Sequence, residues 1–531
     1  MSCNSSVFLL SDVARWFHKL LELESLCPSP SQKNLLGLSM LEVSSEALIY
    51  QLMGLSAVLF VVLTGGAFFV ATTLFFIDYF QTTHTVRRNY PLLGRFRYLF
   101  EKLGEFLRQY FFAMDREEQP FNRAQRSWVY RAAKNESNTV PFGSTKDLQR
   151  TGTVFFLNSP YPILEEEASA MPPMQIGPFC RNPYLAQSFY NISGMSYGAL
   201  SRPAVLALGK GAKSAGCWIN TGEGGVSPYH LESGADLVVQ IGTAKYGVRG
   251  DGGKLSEEKL KQLADYPQVK MFEIKLSQGA KPGKGGILPA DKVTAEIAQI
   301  RGIEQGRASL SPNRHPDINS AENLLDMIDT VRQVSGKPCG IKLVLGSTAW
   351  LHELVDEILS RGEQSAPDFI TVDGAEGGTG AAPMVLIDSV GLPLMESLPY
   401  VVELLDKHKL RTRIKIIASG KLVTPSIVAC ALAQGADFCV SARGFMFALG
   451  CIQALQCNKN TCPTGITTHN ARLQRGLDVG EKAERIRFFH QNMLSEVTLL
   501  AHSCGLIDPR DLGAQHVRVV GGNGASQAPK L

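Results

Sequence analysis

The sequence has 531 residues, 53 Lys and Arg against 49 Asp and Glu, and is 44% hydrophobic. At roughly 100–200 residues per domain, that length allows two to four domains with a large core. A chain this apolar, with a net charge of only +4, is not a disordered one, and its bulk charge does not mark a nucleic-acid binder.

Residues 1–40 carry Ser, Pro and mixed charge, with a weakly amphipathic run, DVARWFHKLLELESL, to which the sequence assigns no role. From Ala47 to Ile77 there is no charged residue, and the core of that run, 52–77, exceeds the roughly 20 apolar residues needed to cross a bilayer. Buried core helices seldom run uncharged for so long. A cleaved signal peptide fits worse, because the stretch starts far into the chain, is too long, and places Thr64-Gly65-Gly66 in its middle. One spanning helix is expected, with two half-length passes around the Gly pair as the alternative. Arg87, Arg88, Arg95, Arg97 and Lys102 follow it with Glu101 opposing, whereas Glu42 and Glu46 precede it. The positive-inside rule then puts the larger C-terminal part in the cytoplasm, with membrane lipid as a partner of the basic residues.

The remainder alternates short β-branched runs with helical patterns. Candidate strands are 189–193, 217–220, 237–241, 271–276, 339–344, 369–373, 414–418 and 438–441, with helix-period stretches between them and Ser320 and Thr424 placed as N-caps. Eight such units predict an α/β chain built as a closed (β/α)8 barrel of the TIM type; a doubly wound open sheet is the competing arrangement. The connection between the second and third strands lacks a clear helix. The domain boundaries expected are an N-terminal segment 1–46, the span 47–80, a basic helical segment 81–140, the barrel with its cysteine loop 141–505, and a tail 506–531.

In such a barrel the chemistry sits after the strand ends. There the sequence reads GMSYGALS (194–201), NTGEGG (220–225), QIGTAKYG (240–247), KLSQGAKPGKGG (275–286), KLVLG (342–346), DGAEGGTGAAP (373–383), ASGKL (418–422) and SARGF (441–445). Repeated Gly at strand ends lets backbone N–H groups approach a planar, anionic cofactor closely. The residues placed against that cofactor are Met195, Ser196, Gln240, Lys342, Gly377, Gly378, Thr379, Gly380, Ser419, Gly420, Ala442 and Arg443. Barrels commonly hold phosphate after strands 7 and 8, here Ser419-Gly420-Lys421 and Ala442-Arg443-Gly444, which argues for a phosphorylated cofactor. Lys342 ends a strand inside the barrel mouth, where desolvation is costly without an anionic partner; a flavin edge that turns negative on reduction supplies one, and a lysine that snorkels to solvent is the alternative.

Eleven cysteines, an odd number scattered over a long chain, do not match a secreted disulfide framework. Cys451, Cys457 and Cys462 fall within twelve residues just after the last strand. A structural zinc wants four ligands, with His469 as a distant fourth, whereas three thiolates followed by Pro463 suit an iron–sulfur cluster better. Cys217, Cys339, Cys430 and Cys439 lie on apolar runs and read as core side chains.

These residues match a known pattern. Residues of about 140–505 resemble the flavin-binding synthase domain of glutamate synthase, in its stand-alone, membrane-anchored form. The motifs that carry the resemblance are MSYGALS, TGEGG, SQGAKPGKGG, SPNRHPDI (311–318), KLV, DGAEGGTGAAP and GCIQALQCNKNTCPTGITT (450–468), together with VRRNYPLLGRFRYLFE and FNRAQRSWVYRAAK ahead of the barrel. The resemblance implies flavin mononucleotide (FMN) and a three-iron, four-sulfur (3Fe-4S) cluster on Cys451, Cys457 and Cys462. It also implies hydride delivery to the imine of a 2-oxo acid and ammonia. By motif match Gln278, Lys281 and Arg301 hold the 2-oxoglutarate carboxylates and keto group, which suits the charge-assisted bonds of Arg and Lys. Glu223 is similar to the family's acidic residue near flavin and cluster, with proton handling or turn capping as its role.

The sequence departs from the larger family members. No glutaminase domain precedes the barrel, Cys3 lies ahead of the apolar run, and no GxGxxG fingerprint opens a helix after a strand. Ammonia or an amine is therefore expected from solution or a partner, and electrons from an external donor, ferredoxin or a reductase subunit. Lys284 stands where those enzymes usually carry an acid, and DGAEGG replaces a shorter loop. Two functions of different class follow: a membrane-tethered oxidoreductase acting on CH–NH2 groups in glutamate biosynthesis, or a non-catalytic redox or assembly subunit that keeps its cofactors. Gln278, Lys281 and Arg301 favour the first, since an electron relay has no use for a carboxylate clamp. A barrel of the inosinate dehydrogenase type, with one catalytic Cys loop, does not account for three clustered cysteines.

Overall fold

A computed structural model describes residues 39–169, 171–521, 526 and 527; the amphipathic run near the N-terminus lies outside them. The chain divides into two compact units, 1–113 and 114–531.

In the first unit one helix runs from Ser39 to Phe80, continuous through Gly65-Gly66. Its stretch Ala47–Phe80 is apolar enough and long enough to cross a membrane, and none of its most apolar window is buried in the protein. The hydroxyls within it are satisfied locally: Thr64, Thr72 and Thr73 donate to the carbonyls of Phe60, Phe68 and Phe69 at 2.7, 2.9 and 2.9 Å. Such i−4 bonds satisfy these three hydroxyls within their own helix.

The second unit is built on a closed barrel of eight parallel strands. They are β1 (Tyr190–Ile192), β2 (Ile219–Asn220), β3 (Leu237–Ile241), β4 (Val269–Lys275), β5 (Cys339–Leu343), β6 (Phe369–Asp373), β7 (Lys415–Ser419) and β8 (Phe438–Ser441). Each pairs with the next in sequence, and β8 closes on β1 through Ser441 opposite Ile192. The open doubly wound sheet is thus excluded. Only a five-residue helix, Pro228–Glu232, fills the β2–β3 connection that lacks a helical pattern.

Because side chains two apart along a strand share a face, the barrel interior is layered. Trp218, Val238, Met271, Phe369, Ile417 and Phe438 form an apolar floor, sealed by the hairpin of Met174–Ile176 with Tyr184–Ala186. Two residues further on, the same strands present Asn220, Gln240, Glu273, Thr371 and Ser419, all buried and polar. The strands therefore pass from a core-forming lower half to a polar mouth, and the mouth is where the site lies.

Caps fix the surrounding helices. Ser320 accepts from Asn323 N at the start of Ala321–Ser335, at 3.2 Å. Thr424 occupies the N-cap of Pro425–Ala433 without a side-chain hydrogen bond. Ser320→Ala should therefore cost about 1 kcal/mol, and Thr424→Ala measurably less. Denaturant midpoints of the two variants test the difference.

Candidate active site at the barrel mouth

The loops after β1, β2, β4, β6 and β8 enclose a cavity of about 350 Å3, within the roughly 300–1,000 Å3 usual for small-molecule sites. Its wall brings together Met195, Ser196, Glu223, Gln240, Gln278, Lys281, Arg301, Gly377, Gly378, Thr379, Gly380, Ala442 and Arg443 with Cys451, Cys457 and Cys462. Lys342, Ser419 and Gly420 line a smaller adjoining cavity that shares Gln278, Gly377, Gly378, Ala442 and Arg443 with it. Residues spread along the sequence from Met195 to Cys462 thus converge on one mouth.

Close approach explains two of the glycines. A Cβ on Gly378 would lie 2.7 Å from Arg443 Nε, and one on Gly286 would lie 2.2 Å from Glu223 Oε1. Neither position admits a side chain without displacing a charged group.

At one end of the cavity sits a cluster of charges. Lys275 Nζ lies 3.2 Å from Glu223 Oε2 and donates to Gln278 Oε1 at 2.9 Å. Gln278 Nε2 in turn donates to Gly378 O at 2.6 Å, so its amide is fixed at both ends. Arg301 is 5% exposed and Lys281 is 3% exposed. Arg301 Nη2 reaches Tyr197 O and Ser196 Oγ at 3.2 and 3.4 Å, while its buried Nε has no hydrogen-bond partner. Lys281 Nζ reaches only Ala381 O, at 3.5 Å, and neither cation forms an ion pair among the described residues. Burial alone would raise the Glu223 carboxyl, but Lys275, Lys281 and Arg301 outweigh it and hold its pKa below the usual carboxylate value. Burial, with Lys275 beside it, brings the Lys281 ammonium down to about 8. Three cations thus face a single carboxylate.

Beneath the mouth, Lys342 is buried and its Nζ lies 3.3 Å from Asp373 Oδ2. Burial opposes its charge, but Asp373 and Glu273 overcome that and raise its pKa above the ordinary lysine value. The lysine does not snorkel to solvent. Asp373 also accepts from Ser419 Oγ and Gly279 N, at 2.8 and 2.9 Å. Glu273 gathers Gln240 Nε2, Asn220 Nδ2 and Thr371 Oγ1 at 2.6, 2.8 and 2.7 Å. Lys275, Glu273 and Asp373 are the residues that sequence reasoning passed over. The signal was there: Glu273 and Lys275 stand two apart on β4 and share the inward face with Met271, while Lys270 falls on the opposite face.

The three cysteines share a wall of the same cavity. Burial would raise the Cys462 thiol, but the Thr464 hydroxyl, 3.4 Å from Sγ, helps bring its pKa below the usual thiol value. Burial pushes Cys451 up to about 12, with Cys457 and Cys462 adding to it. Among the described residues no three His, Cys, Asp or Glu side chains converge as on a single ion. A cluster does not ask for that, since its thiolates bind different irons around its rim. Three thiols on one wall fit the thiolate donor set of an iron–sulfur cluster. Lys292 Nζ braces the loop by donating to Cys457 O and Ala199 O, at 3.2 and 2.7 Å.

A segment ahead of the barrel completes the site. Phe121 lies against the Arg443 guanidinium, 4.6 Å from ring centroid to Cζ. Its N–H donates to Gln453 Oε1 at 3.2 Å, and Gln453 Nε2 donates to Glu118 Oε1 and Phe121 O at 2.9 and 3.1 Å. The Tyr130 hydroxyl donates to Cys451 O at 2.6 Å. One segment thus fastens both the phosphate-type loop and the cysteine loop.

Residues 159–506 match the family model described as a conserved region in glutamate synthase. The chain is 41% identical over 476 residues to the glutamate synthase large subunit-like protein YerD of Bacillus subtilis, spanning 82% of this chain and 90% of that protein. It is 35% identical over 333 residues to an archaeal glutamate synthase (NADPH) of Methanocaldococcus jannaschii, spanning 62% of this chain but only 61% of that one. Among solved structures, a chimera of (S)-mandelate dehydrogenase matches at 12% identity and a TM-score of 0.45, covering 74% of this chain and 98% of its own, a likeness too loose to argue from. The family match and the Bacillus relative together establish that this chain belongs to the glutamate synthase family of oxidoreductases.

Proposed function

We propose that this protein is a membrane-tethered flavin and iron–sulfur oxidoreductase that reductively aminates a 2-oxo acid, with 2-oxoglutarate and ammonia giving glutamate as the default. Its electrons come from an external donor, a ferredoxin or a reductase subunit. The observation that carries the reading is the charge balance of the cavity. Lys275, Lys281 and Arg301 against Glu223 leave a surplus that a dicarboxylate neutralises, and buried cations need such a partner.

In this reading Arg301 and Lys281 hold the substrate carboxylates, and Gln278, fixed by Lys275, faces the keto group. Glu223 stays ionised and keeps the lysines oriented. Ser419, Gly420, Ala442 and Arg443 would hold the phosphate of FMN, and Met195, Ser196, Gln240, Lys342 and Gly377–Gly380 would line its site. Bound there, FMN supplies hydride transfer and a 3Fe-4S cluster on Cys451, Cys457 and Cys462 supplies single electrons. Burial brings the Lys281 ammonium down to about 8, so its Nζ can give up a proton near that pH.

The test is anaerobic turnover with a panel of 2-oxo acids plus ammonia, detecting the amino acid formed. No product from any of them sinks the aminating reading and leaves the electron-transfer subunit. A pH profile adds a sharper check. The Lys281 cation is half lost at about pH 8 and gone well above it, so kcat/KM for the dicarboxylate should fall as pH rises through that value. Lys281→Arg should move the fall to higher pH, and an unmoved limb assigns it to another group.

The Ala47–Phe80 helix is the anchor in this reading, with the barrel on the cytoplasmic side. The full chain should sediment with membranes, while a chain beginning at Met114 should stay in the high-speed supernatant. Full-length protein that is soluble without detergent contradicts the anchor.

A further inference from the structure

The apolar helix does not end in a loose tail. Asp78, near its C-terminal end and 1% exposed, accepts from Arg95 Nε at 2.7 Å and from Leu92 N at 3.2 Å. Tyr98 is held between His84, at 5.2 Å between ring centroids, and Arg87, at 4.7 Å from its ring centroid. At Gly94 the backbones touch so closely that a Cβ would stand 2.7 Å from Val86 O. These contacts turn the chain sharply after Phe80 and pin the start of the next helix, Leu93–Leu107, to the end of the long one.

That second helix has two unlike faces. Leu93, Phe96, Phe100, Leu103 and Leu107 recur at three- and four-residue steps, the spacing of one helical stripe. All five are exposed, Phe96 at 53% and Phe100 at 62%. Across residues 85–108 six Arg and Lys stand against two Glu. A second copy of the same basic surface would be repelled, whereas an anionic leaflet satisfies the apolar stripe and the charges together.

We propose that Leu93–Leu107 lies flat in the headgroup layer of an anionic leaflet, its apolar stripe at the acyl boundary and Arg97 and Lys102 on lipid phosphates. The proposal rests on the membrane reading of the preceding helix, and the experiment separates the two. The full chain is reconstituted in mixed phosphatidylcholine and phosphatidylglycerol vesicles, with a photo-crosslinking benzoylphenylalanine in place of Phe100 or, separately, Val61. Adducts are then identified by mass. Both positions should give lipid adducts. At position 100 the ratio of phosphatidylglycerol to phosphatidylcholine adducts should exceed that of the vesicle, and should fall about fivefold for each of Arg97→Gln and Lys102→Gln. At position 61 it should follow bulk composition in every variant. Lipid adducts at 61 with only protein adducts at 100, whether a second copy or another chain, overturn the interfacial helix and leave the span standing. Lipid at 100 without phosphatidylglycerol enrichment overturns the headgroup assignment. No lipid at either position overturns both.

Discussion

Lys281→Ala and Arg301→Ala should each abolish most of the reoxidation of the reduced enzyme by 2-oxoglutarate and ammonia, while reduction of the flavin by an artificial donor continues unchanged. Each deletion leaves a substrate carboxylate facing an empty contact. Loss of one charge-assisted bond costs about 1.5–3 kcal/mol, or roughly ten- to a hundredfold at 1.4 kcal/mol per decade. The two positions differ in what is left behind. Arg301 donates to Tyr197 O and Ser196 Oγ, so its loss also loosens the loop after β1. Lys281 makes one long contact, so Lys281→Ala is the cleaner probe. Stopped-flow traces of the two half-reactions separate the outcomes, and equal slowing of both halves means that the clamp assignment is wrong.

Cys457→Ser should remove all bound iron and acid-labile sulfide from protein purified without air, with the barrel still folded. The wild type should carry both in near-equal amounts. The thiol lies on the cavity wall beside Cys451 and Cys462, and its loop is held from outside by Lys292, by Tyr130 and, through the loop's own Gln453, by Glu118 and Phe121. Those braces act on carbonyls or on the Gln453 side chain and do not involve the Cys457 sulfur, so the loop should keep its path in the variant. Iron and sulfide analysis with circular dichroism reads both halves of the statement. Zinc in place of iron, without sulfide, would refute the cluster and the electron path built on it.

The eight strands were legible because their signal is local. Parallel barrel strands are buried on both faces, and runs such as Phe369–Asp373 read as short apolar or β-branched segments closed by Gly. The mouth residues were legible for a related reason, since Gly-rich loops directly follow those runs. What stayed hidden depends on pairing across the barrel. Nothing near Lys342 in sequence announces Asp373, 31 positions away on the adjacent strand. Glu273 is masked because the single acid of β4 looks like an interruption of its apolar residues until Gln240, Asn220 and Thr371 close on it. Phe121 heads the motif FNRAQRSWVYRAAK, but its place against Arg443 follows from tertiary contacts more than 300 residues apart.

That last contact bears on where the functional body of the protein begins. The family match starts at residue 159, and a piece cut there would keep every barrel strand. It would lose the aromatic ring against Arg443, the acceptors that hold Gln453 and the Tyr130 hydroxyl on Cys451 O, leaving the cysteine loop braced by Lys292 without its upstream contacts. The stretch between the apolar helix and the barrel is therefore not a leash whose length or sequence is free. From Glu118 onward it travels with the enzyme, and any transplant of the barrel onto a different anchor has to carry it.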